Sequence, residues 1–304
     1  MITRYTYGNT VWIDLNRPEQ DEVQAIVDEF EINKAVTKEL VSPSLKSRAE
    51  LYKGYIYLIL HFPAFKHSHG QNTKQEIDFI IGKDFLITAR YDTIDAMDKF
   101  AKEVEVKSIL DRGFNEERTG AMFFGILEEI YQSLLNELDY IDTWTTKIED
   151  KIFSGNEREM VMALSDVSRN LLNFKKSTDF HKEVLTTLDT LGKKIFDEHF
   201  SYHVHKTIGE YLKVENSLKN AMDFVSELRE TNNSLLSTKE NEIMKTLTIM
   251  AFTTFPLTLM AAMFSMDTKF TPIVGHPNDF WIILGIMFGA AVLFFIFFKY
   301  KKWF

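Results

Sequence analysis

Two stretches near the C-terminal end carry no charged side chain: residues 246–266 and residues 280–298, 21 and 19 positions long. A helix that crosses the hydrocarbon core of a bilayer needs roughly 20 mainly apolar residues, so each stretch is long enough to span one. A 13-residue connector, 267–279, separates them. The average composition, 45% hydrophobic and 26% charged, hides this segregation. A wholly soluble fold is all but excluded.

Charge divides the chain at the same place. From 245 onward there are five Lys and two Asp, a net +3, whereas residues 1–244 hold 30 basic and 42 acidic side chains, a net −12. An acidic body argues against a nucleic-acid binder, which presents a basic face, and suits a soluble domain that meets cations. The absence of Cys removes disulfides, thiolate zinc sites and cysteine nucleophiles. The opening MITRYTYGNT lacks the apolar core of a signal peptide. The N-terminal part is therefore expected in the cytosol, with a C-terminal membrane anchor. Lys245 precedes the first span, and Lys299, Lys301 and Lys302 follow the second. Basic flanks mark the cytoplasmic side, which puts both termini in the cytoplasm and 267–279 outside; Lys269 alone opposes this. Trp281 and Trp303 mark the two interfaces. The expected location is the cell (inner or plasma) membrane, crossed twice.

The first hundred residues read as mixed α/β. Val11–Leu15 is a short strand ended by Asn16 and Pro18, after which Val23, Ile26, Val27 and Phe30 follow helical spacing. Tyr55–Leu60 has the β-former content of a buried strand. Lys66 to Gln75 reads as a loop. Glu76–Ile81 and Asp84–Ala89 read as two strands across Gly82-Lys83.

From about 95 to 195 the period is helical, with an apolar stripe Ile126, Ile130, Leu134, Leu138, Ile141, a break at Gly155-Asn156, and a resumed stripe Met160, Leu164, Val167, Leu171, Phe174. A third helical stretch starts near 199. Ile208, Leu212, Leu218, Met222, Val225, Leu228 and Leu235 keep an approximate heptad, and no Pro occurs between 64 and 255. A helix over about 202–266 would be roughly 100 Å long, which suits a stalk that enters the bilayer. The expected regions are an α/β domain over 1–110, a helical region over 111–198, a stalk over 199–245, a pore-lining span over 246–266, the outer loop, a second span over 280–298 and a basic tail over 299–304.

Asn241, Met244, Thr248, Ala251, Phe255, Thr258, Ala262 and Ser265 recur three and four apart, on one helical face of amide, hydroxyl and small side chains. Polar groups in a spanning helix face protein or water, not lipid. Close packing through small residues is one explanation; a pore made from several copies of the helix is the other. Pro256 removes one backbone hydrogen bond and should bend the span.

Asn241-Glu242-Ile243-Met244-Lys245-Thr246-Leu247-Thr248-Ile249, Phe255-Pro256-Leu257-Thr258, the short outer loop, the second span and Lys301-Lys302-Trp303-Phe304 resemble the CorA family of divalent-cation channels. Trp12-Ile13-Asp14-Leu15 and Asp78 to Thr88 share the likeness. The resemblance implies an α+β membrane protein: a cytosolic α/β domain, a stalk helix continuing into the first of two spans, and a homopentameric funnel. It also implies that the first spans line the pore and that Mg²⁺ is the usual cargo. Its ion path would then include Asn241, Met244, Leu247, Phe255, Thr258, Ser265 and Asp267, with Asn241 meeting the ion at the inner neck.

The family signature at the outer end of the first span is Gly-Met-Asn; here Ser265-Met266-Asp267 stands in its place. Five Asp267 carboxylates would hold a hydrated cation with more charge than five amides. Mg²⁺ sheds water reluctantly, and a ring of oxygens can bind it through its hydration shell. A stronger ring also releases the ion more slowly. Five neighbouring carboxylates would titrate as a coupled set. The outer loop has Thr271-Pro272-Ile273 where magnesium-selective members carry acidic residues, and His276 with Asp279 hints at zinc, as in the ZntB branch. The position of the family's regulatory stalk carboxylate falls on Lys206; Glu198, Glu210 and Glu215 stand nearby, where a solvated face is the simpler explanation. His199 and His203, four apart, would share a helix face without an evident third ligand, and His205 would point elsewhere.

The expected function is passive movement of a divalent cation, Mg²⁺ first and Co²⁺ or Ni²⁺ next, with a regulatory role for the same ion also open. A ZntB-type zinc transporter and a non-conducting, membrane-anchored metal sensor are the alternatives. The expected partners are other copies of the chain, the lipid bilayer and divalent cations, with no nucleic acid, no cofactor and no enzymatic activity; no Gly-rich phosphate loop or nucleophile motif occurs.

Overall fold

Aromatic and β-branched residues concentrate in short runs before residue 91, and in the computed structural model these runs pair into one sheet. The structure describes residues 1–7, 10–64, 74–109, 119–266, 273–275 and 277–301. The strands are β1 Ile2–Tyr7, β2 Thr10–Asn16, β3 Arg48–Tyr52, β4 Tyr55–Pro63, β5 Lys74–Gly82 and β6 Phe85–Arg90. Their order is β1-β2-β6-β5-β4-β3. Only β2 and β6 run parallel; the other pairs are antiparallel. The expected hairpin is present, with its turn one residue later than Gly82-Lys83: Gly82 still belongs to β5, and Lys83-Asp84 lead into β6. A Cβ on Gly82 would run into the Phe85 ring.

Burial on both faces explains why β4 is apolar without clean alternation: all nine of its residues are buried. On one face Ile13, Tyr57, Ile80 and Ile87 meet α1 (Gln20–Glu29) and α2 (Lys34–Glu39) through Val23, Ile26, Val27 and Val36. Pro18 stands ahead of α1, whose first turn is closed by Glu22 accepting the Glu19 N–H at 3.0 Å in a capping box. The other face carries Trp12 and Phe79. Trp12 lies 5.8 Å from the Phe100 ring of α3 (Asp95–Ile109), and Phe79 meets Phe123 of α4 (Thr119–Phe153) edge-on at 5.2 Å. Each such fully buried side chain contributes about 1.5–3 kcal/mol.

Gly155, at φ +99°, turns the chain from α4 into α5 (Glu157–Thr178), as the break at Gly155-Asn156 predicts. Then come α6 (His181–Gly192), α7 (Glu198–Phe264, 67 residues) and α8 (Asp279–Tyr300).

Three readings are corrected. Two edge strands, β1 and β3, carried too little alternation to be expected. Of the expected loop 66–75, residues up to 73 lie outside the described residues, while Gln75 belongs to β5. In the first half of α7 the buried seam is Phe200, Val204, Thr207, Tyr211, Val214, Leu218, Ala221, Val225 and Leu228. Only Leu218, Val225 and Leu228 of the expected heptad belong to it. Phe200 and Tyr211 of the seam meet Phe124 and Tyr131 of α4 and His181 of α6, whereas Ile208, Leu212 and Met222 stand half-buried beside it.

The chain divides into two compact units, Met1–Arg229 and Glu230–Phe304. The first holds the sheet and its helices; the second holds the end of α7 together with α8.

Candidate functional site

The site is built on the end of α7. After Gly209 this helix meets no Gly or Pro until Pro256, so nothing local stops it before the charge-free run begins. The most apolar 18-residue windows of α7 and α8 have mean hydropathies of 1.7 and 2.6, and none of either window is buried within the chain. A core helix of a soluble domain would be mostly buried. These two instead leave their apolar surface for lipid or for other copies.

The small and polar face lies on this exposed part of α7. Asn241, Met244, Leu247, Phe255, Thr258 and Ser265 are all exposed, Phe255 by 75% and Met244 by 60%. The threonines behave alike. Thr246, Thr248, Thr253, Thr254 and Thr258 each donate the hydroxyl proton to the carbonyl four residues earlier, at 2.7–2.9 Å. A hydroxyl has one proton and two acceptor lone pairs. With the proton committed to the backbone, Thr248 and Thr258 offer only acceptor oxygen to whatever passes the face, which is the polarity a cation needs. Pro256 has no N–H, so the carbonyl of Phe252 loses its usual donor.

At its outer end the helix tightens. The Ser265 N–H donates to the carbonyls of Ala261 and Ala262 at 3.1 and 3.2 Å, and the Met266 N–H to Met263 at 3.3 Å. Asp267 and His276 lie outside the described residues, as do Lys269, Lys302 and Trp303. Asp279, the other half of the zinc hint, uses its carboxylate on the backbone: Oδ1 accepts the Phe280 N–H at 2.6 Å and Oδ2 the Gly275 N–H at 3.2 Å.

In the first unit the stalk residues are engaged with neighbours. Lys206 Nζ lies 3.1 Å from Glu128 Oε2, Lys213 pairs with Glu210 at 2.8 Å, and Glu215 accepts the Tyr211 hydroxyl at 3.1 Å. His199 and His203 line one cavity of about 260 Å³ together with Lys83, Asp84 and Asp197, and the His203 ring stacks on Phe124 at 5.3 Å. His205 turns toward Asp189, 3.8 Å away. Among the described residues no three His, Asp or Glu side chains converge as a metal cluster.

A family model described as CorA-like Mg²⁺ transporter protein matches residues 7–301. The chain belongs to this family. The cobalt/magnesium transport protein CorA of Thermotoga maritima is 21% identical over 293 residues, which cover 96% of this chain and 83% of that protein. The complete structure of the CorA magnesium transporter from Methanocaldococcus jannaschii has a TM-score of 0.85 at 20% identity, over 97% of this chain and 92% of that one. The ZntB cytoplasmic domain from Vibrio parahaemolyticus has a TM-score of 0.57 at 11% identity, covering 75% of this chain and 88% of that domain. At these identities the structural likeness is one of fold.

Sequence reasoning missed a buried polar group in the first unit of this CorA-family chain. Glu76 and Asp78 alternate on one face of β5. Glu76 accepts the Ser44 N–H at 2.8 Å and lies 2.8 Å from His61 Nε2, while His61 Nδ1 lies 2.9 Å from the Ser47 hydroxyl. Asp78, fully buried, accepts the hydroxyls of Tyr57 and Tyr91 at 2.9 and 3.3 Å. Burial and the adjacent Glu76 carboxyl hold the Asp78 proton well above the ordinary carboxylate range. His181 reaches the neighbouring strand β4 from α6, its Nε2 2.7 Å from the His61 carbonyl. The one available signal was a Glu and an Asp two apart within a strand pattern.

Proposed function

We propose that several copies of this chain, five by the family resemblance, assemble so that the ends of their α7 helices enclose a path for a divalent cation, with Mg²⁺ the leading cargo and Co²⁺ and Ni²⁺ next. The observation that carries this reading is the α7 face on which Asn241, Ala251, Ala262 and Ser265 share a stripe with Thr248 and Thr258, whose hydroxyls offer only acceptor oxygen. Family membership supports it, and so do the relatives named as cobalt/magnesium transport proteins. Asn241 would meet the ion at the inner neck, Met244, Leu247 and Phe255 would form apolar constrictions that gate by dewetting, and Thr258, Ser265 and Asp267 would lead to the outer mouth.

The basic flanks Lys245, Lys299 and Lys301 favour cytoplasmic termini. An inside-negative potential would then drive entry passively, at about 2.3 kcal/mol per charge per 100 mV. Flux into proteoliposomes across Mg²⁺, Co²⁺, Ni²⁺ and Zn²⁺ tests the reading. Mg²⁺ uptake is expected to lead. A response confined to Zn²⁺ would favour the ZntB-type alternative. An intact assembly with no flux for any ion would leave a sensor.

A further inference from the structure

Three polar side chains of the first unit form a relay that the proposed ion path does not use. The register of the sheet brings two of them together: His61 on β4 stands directly opposite Glu76 on β5, so their side chains leave one face as neighbours. Ser47 is the residue before β3, whose first residue, Arg48, pairs with Ile59 of β4. His61 Nε2 lies 2.8 Å from Glu76 Oε2, and His61 Nδ1 lies 2.9 Å from Ser47 Oγ. A hydroxyl, an imidazole and a carboxylate joined at these distances are the parts of an activated nucleophile. One group attacks, one takes its proton, and one orients the base.

The tautomer of His61 decides whether the relay can run. Nε2 also lies 3.1 Å from the Ser44 carbonyl oxygen. A carbonyl has no proton to give, so Nε2 carries the N–H of the ring. In the neutral imidazole Nδ1 is then the bare nitrogen, and it faces the Ser47 hydroxyl as an acceptor. Glu76 is itself held in place, since both its oxygens accept the Ser44 N–H at 2.8 Å. Burial and the Glu76 carboxyl keep a proton on Asp78, which leaves Glu76 as the charged member of that pair, beside the ring that would become an imidazolium. Exposure runs the same way. His61 and Glu76 are each 5% exposed, Ser47 is half-buried, and its neighbours Leu45 and Lys46 stand in solvent. The base is shielded, and the nucleophile sits at the surface.

We propose that Ser47 is a nucleophile and a site of O-acylation, with activated esters as its acyl donors, His61 as its general base and Glu76 as the positioning residue. Ser47 Oγ bonds to the acyl carbon of the donor, and its proton passes to His61 Nδ1. The bond between the acyl carbon and the leaving oxygen then breaks, and that oxygen takes the proton from Nδ1. The protein keeps the ester and the alcohol departs. The inference concerns the first unit alone and is independent of whether any ion passes.

The test uses the full-length protein in detergent with p-nitrophenyl acetate as the probe. Peptide mass spectrometry locates the acetyl groups, and hydroxylamine, which cleaves esters and spares amides, separates serine from lysine products. Ser47 should be acetylated about 100-fold faster than the exposed Ser42, the lower end of what a general base supplies. Glu76→Gln keeps an acceptor for Nε2–H and removes the charge, and should slow the reaction by about tenfold or more. A second measurement does not rely on acyl transfer. The chain has no Cys, so Ser47→Cys carries its only thiol, whose alkylation by iodoacetamide can be followed against pH. Beside His61 this thiol should ionise at about pH 7.5 or below rather than near 8.5, and adding His61→Gln should return it to the ordinary value. Acetylation of Ser47 no faster than that of Ser42 overturns the proposal. So does a thiol that ionises at or above the ordinary value with His61 in place, which would leave the three side chains as a structural hydrogen-bond chain.

Discussion

His181 Nδ1 lies 2.9 Å from the hydroxyl of Tyr131 inside the fully buried contact between α4 and α6. The other ring nitrogen faces the His61 carbonyl, which can only accept. Nε2 therefore carries the proton, and Nδ1 accepts from Tyr131. A second proton would charge a fully buried ring, and burial lowers the His181 pKa to about 4.

The unfolded chain takes up a proton near pH 6.5 and the fold resists it down to about pH 4. Stability is therefore fully present above pH 6.5 and falls through this window on acidification, by on the order of 3 kcal/mol. His181→Gln can keep both hydrogen bonds without titrating. It should flatten this acid limb, measured as unfolding midpoints of the full chain between pH 7 and 4; an unchanged slope would remove His181 as its origin.

Asp78 has the opposite slope. Its carboxyl keeps a proton in the fold that the unfolded chain gives up in the ordinary carboxylate range. The fold holds more protons above that range, so its stability falls as pH rises. Asp78→Asn keeps an acceptor for Tyr57 and Tyr91 and should be as stable as the parent, or more so, at pH 8. A large loss of stability there would mean that Asp78 is held as the anion.

Assembly is the broadest prediction. One α7 cannot enclose a path, and the family resemblance points to five copies. The mass of the detergent-solubilised complex should be that of a pentamer, and a stable monomer or dimer would remove the pore reading.

At the neck, Leu247 and Phe255 stand exposed on the chain by 54% and 75%. Apolar rings of this kind keep a pore closed by excluding water. Leu247→Ser and Phe255→Ser should each raise leak in the closed state by an order of magnitude or so, read as flux at high internal Mg²⁺. Unchanged flux in both would place these side chains off the path.

The altered signature gives the last test. Five Asp267 carboxylates at the outer mouth would concentrate cations by an attraction screened over about 8 Å at physiological ionic strength. Asp267→Asn should still transport, with weaker apparent affinity and less dependence on salt and acid. Asp267→Ala should lose most uptake. Full uptake by Asp267→Ala, with the assembly intact, would show that this side chain does not hold the ion.

Much of the second unit was legible from the residues alone. Two charge-free runs, an unbroken helical period and a face of small and polar residues are properties of neighbours in the chain. Hydropathy and the 3.6-residue turn act on such neighbours directly. The candidate path on α7 was legible for the same reason, although its last member, Asp267, lies outside the described residues.

The polar group around Glu76 and the seam of α7 were not legible, because burial depends on what arrives from elsewhere. Glu76 and Asp78 are ordinary surface-like residues until β4, the Ser44 turn and α6 enclose them; His181 arrives from 120 positions beyond His61. The edge strands β1 and β3 exist because β2 and β4 offer hydrogen bonds, not because their own residues alternate. Likewise Ser47 meets His61 only when β3 lies against β4. Helix, span and stripe are set by short-range periodicity, whereas desolvation, proton affinity and cavity shape are set by long-range packing, which the folded chain alone brings about.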